Sequence, residues 1–289
     1  MQQILLRLTL LLLICLLCQN VFSQEAVDLP NNPFGSAGDC KDRNLIINCF
    51  VSEPKKEWTQ EEKEAILVQE QTGIEWLKKQ ATKRGIFNLS YQTFNLGLKN
   101  DITVDKIERA SEPKKLKVHW ATFALHAAGY SNVYRLYDTL KKRYNVDNVV
   151  VIVFARKEGR SYAQPTFPAA VAFNKEMLLE GAVVYRTYLD TGKDLCAGTI
   201  MHEMLHLYGA WDMYQSDLRG DDVQVTIDNL FKKSIMIHDR DNELKGLMVD
   251  QLTAWRIGWT KTYWPWYEMF RKDGEVKYWN TIPGAKQED

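Results

Sequence analysis

The first apolar run of this chain is continuous rather than periodic. Leu8 to Leu17 carries almost no polar side chain, after a polar and basic start (Gln2, Gln3, Arg7) and before the close Val21-Phe22-Ser23. That layout matches a secretory signal peptide over residues 1–23, with cleavage expected near Ser23. A run of about ten apolar residues falls short of the roughly 20 that a helix needs to cross a hydrocarbon core. The remainder of the chain is therefore expected to be secreted, extracellular or periplasmic, without a membrane attachment.

Residues 24–57 are rich in Pro, Asn, Gly and charge, and read as an irregular lead-in or short propeptide with one short strand at Leu45 to Val51. Periodicity begins at residue 58. Thr59-Gln60-Glu61-Glu62 spells a capping box, and Ala65, Ile66, Ile74, Trp76, Leu77 and Ala81 form the apolar stripe of a long helix ending near Gly85. A strand is expected at Ile86 to Phe94 and a charged surface excursion over Lys99 to Lys117. A second helix is expected from Asn132 to Tyr144, and a central strand in the β-branched run Val149 to Phe154. Ala169 to Phe173 and Ala182 to Tyr188 read as further strands, the latter at the sheet edge. Asp250 is a fair N-cap for a last helix, Gln251 to Gly258. This mixed order predicts an α+β domain over residues 58–289, with an aromatic-rich C-terminal extension.

Composition narrows the function. The 289 residues carry 37 Lys plus Arg against 37 Asp plus Glu, and losing Arg7 with the leader leaves 36 against 37. A near-neutral chain without a local basic patch is not a nucleic-acid binder in its main role. Loss of the leader also removes Cys15 and Cys18, leaving Cys40, Cys49 and Cys196. In an exporting compartment Cys40 and Cys49 are the candidate disulfide, closing a small loop, with Cys196 a buried, inert thiol. A Cys49 to Cys196 bridge and a Cys40 that ligates a metal in a proform stay open. Asn88-Leu89-Ser90 is a glycosylation sequon if the secretory pathway is eukaryotic.

The chemistry concentrates in Thr199 to Asp212, which reads TIMHEMLHLYGAWD. His202 and His206 advance about 400° on a helix and rise about 6 Å, so two imidazoles on one face can share one metal. Glu203, about 100° further round than His202, is placed to act as general base toward a metal-activated water. Gly209 is where a helix can stop in a left-handed residue. Asp212 then supplies an oxygen, making three protein ligands and leaving a fourth position, the pattern of a catalytic rather than a structural zinc site.

Residues 202–212 resemble the metzincin metallopeptidases, whose motif is His-Glu-x-x-His-x-x-Gly-x-x-His, with Asp in the last place as in the snapalysin-like branch. The resemblance is strong at 199–212 and loose over roughly 58–260. It implies a zincin fold, a twisted mixed sheet with an active-site helix and a Met-turn, for which Ser234-Ile235-Met236 is the candidate and Met236 its methionine. It also implies a secreted zinc endopeptidase using Zn(2+), with a protein or peptide substrate lying along an edge strand. His238 is an alternative third ligand, and Cys196 or His238 as a fourth would mark a structural zinc site instead. A catalytically silent binding or inhibitor module is the alternative function, although such a role places no demand on Glu203. Asp239, Asp241 and Glu243 read as a solvated acidic turn rather than a calcium loop. Arg219-Gly220-Asp221 reads as chance. Trp255, Trp259, Trp264, Trp266, Tyr267 and Trp279 read as core and lid packing.

Overall fold

Two apolar strands lie at the middle of the fold. Arg43–Ser52 (β1) buries Leu45, Ile46, Ile47, Cys49, Phe50 and Val51, and its neighbour Asn148–Gly159 (β4) buries every side chain from Val149 to Ala155. Strands covered on both faces show no alternation, because parallel neighbours and helices leave no side for water. Ser90–Leu96 (β2) pairs with β1 on its other side, and Ile102–Thr103 (β3) continues beside Val51 and Ser52. Gly181–Tyr188 (β6) lies beyond β4, and Tyr162–Gln164 (β5) closes the order β2-β1-β4-β6-β5. Every pairing is parallel except β5 on β6.

The computed structural model describes residues 35–107, 119–166, 171, 174–214, 221–237 and 244–270. The chain divides into two compact units, residues 1–30 and 31–289; the first, with all of the expected leader, lies outside the described residues. The second is α+β with a mostly parallel sheet. Among the described residues no helix is long and apolar enough to cross a membrane.

Helices cover both faces of the sheet. Leu45, Ile47, Cys49 and Val51 of β1 share one core with Val149, Val151 and Val153 of β4. Trp120–Ala127 (α2) and Val133–Tyr144 (α3) cover that core. On the opposite face lie Gln60–Lys83 (α1) and Ala197–Leu207 (α4), which pack on each other, with α4 resting on β4, β5 and β6. Further helices among the described residues are Asp221–Leu230 (α5) and Gln251–Arg256 (α6). The capping box at Thr59 forms with both of its hydrogen bonds, and Asn132 caps α3 through its side chain.

Several expectations shift. The strand at Leu45 to Val51 is not an accessory of a lead-in but an interior strand of the sheet. The strand expected from Ile86 starts at Ser90, because Ile86 N donates to Ala81 O across Gly85 (φ +79°) and closes the end of α1. Ala182 to Tyr188 is not the edge: β5 covers Gly181 to Val183 and takes the end position. The expected strand at Ala169 to Phe173 lies outside the described residues except for Val171, which is helical.

Cys40 and Cys49 do not form a disulfide, and Cys49 does not bridge Cys196; all three are buried and none is in a disulfide among the described residues. The reason is the strand between the first two. From Arg43 to Cys49 the chain is extended, about 20 Å at roughly 3.3 Å per residue, whereas a disulfide needs Cα atoms within about 7 Å. Cys40 instead lies 3.2 Å from the Tyr91 hydroxyl. Burial pushes both the Cys40 and Cys49 thiols up to about 12. Trp255, Trp259, Trp266 and Tyr267 are core, while Trp264 is 42% exposed and Trp279 lies outside the described residues.

Candidate metal centre

The helix that carries the motif is fixed at its start from a distance. Cys196 occupies the N-cap of α4 without a side-chain cap bond, and Gln69 of α1 supplies it instead: its Oε1 accepts from Ala197 N at 3.0 Å. Tyr188, the last residue of β6, meets Thr199 through their hydroxyls and lies 3.5 Å from the Cys196 sulfur. The two helices approach closely at Gly73, where an added Cβ would stand 2.6 Å from Met201 Cγ. Ile200, Met201, Met204, Leu205 and Leu207 are all buried, which fixes the rotation of α4 and so the direction of its histidine face.

His202 and His206 project from that face with their ring centroids 4.7 Å apart and their planes at 89°. His202 Nδ1 donates to the Ile235 carbonyl at 3.0 Å, and His206 Nδ1 donates to the Ala210 carbonyl at 2.8 Å. A carbonyl only accepts, so the proton sits on Nδ1 and a neutral ring presents the Nε2 lone pair. The two Nε2 atoms are 3.2 Å apart. After Gly209 (φ +96°) the chain reverses and brings Asp212 Oδ1 to 3.3 Å from His202 Nε2 and 3.1 Å from His206 Nε2.

Three electron-rich atoms thus form a triangle with sides of 3.1, 3.2 and 3.3 Å. Donors about 2.0–2.1 Å from a tetrahedral zinc stand about 3.3 Å from one another, so the residues fit that ion. Each imidazole is also held through Nδ1 by a backbone carbonyl, the usual support of a metal-binding histidine. Glu203 is 5% exposed, and a carboxylate oxygen of it lies within 4.8 Å of a ring nitrogen of each histidine.

Beneath the rings runs a tight turn. Ile237 N donates to Ser234 O at 3.2 Å, with Ile235 and Met236 at its centre and Met236 fully buried. Ser234 Oγ accepts from Met236 N at 3.1 Å and donates to Asp250 Oδ2 at 2.6 Å, while Asp250 Oδ1 caps α6 at Thr253 N. The turn therefore supplies the carbonyl that orients His202, and α6 holds the turn.

His202, Glu203, His206 and Asp212 converge as the sequence suggests, with Met236 in the turn below. Cys196 does not join them: it is the N-cap of their helix, six residues or about 9 Å along the axis from His202. Cys40 is engaged with Tyr91. His238, Asp239, Asp241 and Glu243 lie outside the described residues, as do Arg219 and Gly220. Not foreseen from the sequence are the Ile235 and Ala210 carbonyls that accept from the imidazoles, Gln69, Arg256 and Tyr214, whose ring lies 5.9 Å from that of His202 at 23°. Only the position of Tyr214, two residues past Asp212, was a signal that spacing carries. Comparison of the chain with protein-family models, with curated proteins and with solved structures finds no match.

Proposed function

We propose that this chain, exported by its apolar leader, is a secreted zinc-dependent endopeptidase of metzincin type. One observation carries the reading. His202 Nε2, His206 Nε2 and Asp212 Oδ1 converge at 3.1–3.3 Å, with each imidazole proton turned away to a carbonyl. Three acceptors brought so close in a largely buried place repel one another unless a cation lies among them.

Zinc, when bound, supplies a Lewis acid that polarises a peptide carbonyl and makes water acidic enough to react near neutral pH. The protein supplies the rest. His202 and His206 hold their orientation through Ile235 and Ala210. Glu203, nearly buried beside them, accepts a proton from water at its carboxylate and returns it to the departing amine. The resemblance places an extended substrate along an edge strand, and that role falls to β5, the terminal strand of the order, rather than to β6. Substrate side chains then meet pockets whose identity sets specificity.

The test is digestion of casein by the purified chain and by its Glu203→Gln variant, with zinc content measured in both. The expected result is a rate about 10²- to 10⁴-fold lower in the variant at unchanged zinc content. Equal digestion by the two proteins contradicts the proposal.

A further inference from the structure

Asp212 reaches the histidines only because the chain reverses over Gly209 to Trp211, and α6 grips that reversal from behind. Arg256, 9% exposed, donates from Nε to the Gly209 carbonyl at 2.7 Å. Its guanidinium carbon also stands 4.2 Å from the centre of the Trp211 ring, in stacking range, and 5.6 Å from that of Trp255. The next carbonyl, Ala210, is taken by His206 Nδ1 at 2.8 Å. Gly209, Ala210 and Trp211 are therefore each held by a side chain, and the residue that follows them is the candidate third ligand.

The same short helix holds the other support of the site. Asp250 at its N-terminus binds Ser234, whose turn presents the Ile235 carbonyl to His202. Arg256, six residues and about 9 Å along, binds the loop that presents Asp212. A planar guanidinium suits this place: it can donate to a carbonyl in its plane and stack on an indole with its face, which an ammonium cannot do.

We infer that Arg256 is a positioning residue for the third metal ligand, fixing the Gly209–Trp211 reversal so that Asp212 Oδ1 stays within reach of both Nε2 atoms. The inference rests on the zinc reading and concerns metal binding, not the reaction. Its signature is dependence on Asp212: an arginine that acts through the carboxylate has nothing to contribute once the carboxylate is gone.

The experiment is a double-mutant cycle on zinc affinity, measured by competition with a chromophoric chelator. It uses the parent chain, Arg256→Gln, Asp212→Ala and the double variant, with cobalt(II) spectra of each. Arg256→Gln is expected to weaken zinc binding on the order of ten- to a hundredfold. It is also expected to shift the cobalt spectrum toward that of Asp212→Ala and to have no further effect in the Asp212→Ala background. Arg256→Lys, which keeps the charge without the planar fork, is expected to fall between parent and Arg256→Gln, and it serves in the cycle if Arg256→Gln does not fold. Unchanged affinity in these variants, or the same loss of affinity with and without Asp212, overturns the inference. A parent chain that takes up no zinc overturns instead the reading on which it rests.

Discussion

Glu70 offers a stability prediction whose sign and size follow from its surroundings. It lies on α1 with 2% exposure, accepting from Asn48 Nδ2 at 2.7 Å, and Asn48 donates in turn to Asn95 Oδ1 at 2.9 Å. Burial raises its carboxyl from the ordinary 4.5 to about 7, with the Asn48 donation opposing only in part. The folded chain therefore keeps this proton to higher pH than the unfolded chain. Between about 4.5 and 7 the native state binds more protons, so this group's stabilising contribution is complete below 4.5, is lost as pH rises through that window, and stays lost above it. At about 1.4 kcal/mol per pH unit, the gap amounts to about 3 kcal/mol. Glu70→Gln keeps the shape, cannot ionise, and brings an amide donor to a place where Glu70 Oε1 and Asn48 Oδ1 have no hydrogen-bond partner among the described residues. Urea unfolding of parent and variant at a series of pH values from about 4 to 8 gives the test, and the difference between the two curves cancels the titration of the histidines. The variant is expected to gain up to about 3 kcal/mol over the parent at pH 8 and little at pH 4. A difference that stays constant across the window, or a variant less stable at pH 8, refutes the reasoning.

Two further outcomes are expected. Lys63 and Asp101 form a buried pair at 2.7 Å, and Lys63 Nζ also donates to the carbonyls of Gly97 and Leu98. Lys63→Met strands a buried carboxylate and is expected to cost about 3–5 kcal/mol in urea unfolding, whereas a loss below about 1 kcal/mol would show the pair to be dispensable. The denatured chain, alkylated without reductant, is expected to carry label at Cys40, Cys49 and Cys196 alike, and its melting temperature is expected not to move with reductant; a Cys40–Cys49 crosslink by mass would contradict this.

What could be read from the sequence was local. The capping box at Thr59, the helix from about Asn132 to Tyr144, the β-branched run of β4 and the His202–Asp212 spacing each lie within about a dozen residues, and the structure shows each of these local arrangements. β1 reads weakly in the sequence because Pro, Asn and Gly surround it and because Asn44 and Asn48 interrupt its apolar run; Asn44 donates to the Ser90 carbonyl and accepts from Asn148, and Asn48 donates to Glu70 and Asn95, partners that only the fold brings near. Trp120–Ala127 was not foreseen as a helix, since its largely apolar sequence gives no polar face to set a period. The three-residue β5 is too short to announce itself, so the sequence alone reads β6 as the edge. At the site, the converging side chains are legible in the sequence and their supports are not. Ile235 lies 33 residues from His202, Arg256 47 residues from Gly209, and Gln69 128 residues from Ala197. Contacts of that range depend on packing, which no window of sequence contains.

The most direct measurement is X-ray diffraction from a crystal of the chain grown with zinc, recorded on either side of the zinc absorption edge. A bound ion predicts one anomalous peak about 2 Å from His202 Nε2, His206 Nε2 and Asp212 Oδ1. A map with no peak there at saturating zinc, or with these three side chains pointing away from one another around a peak elsewhere, would contradict a metal-dependent peptidase.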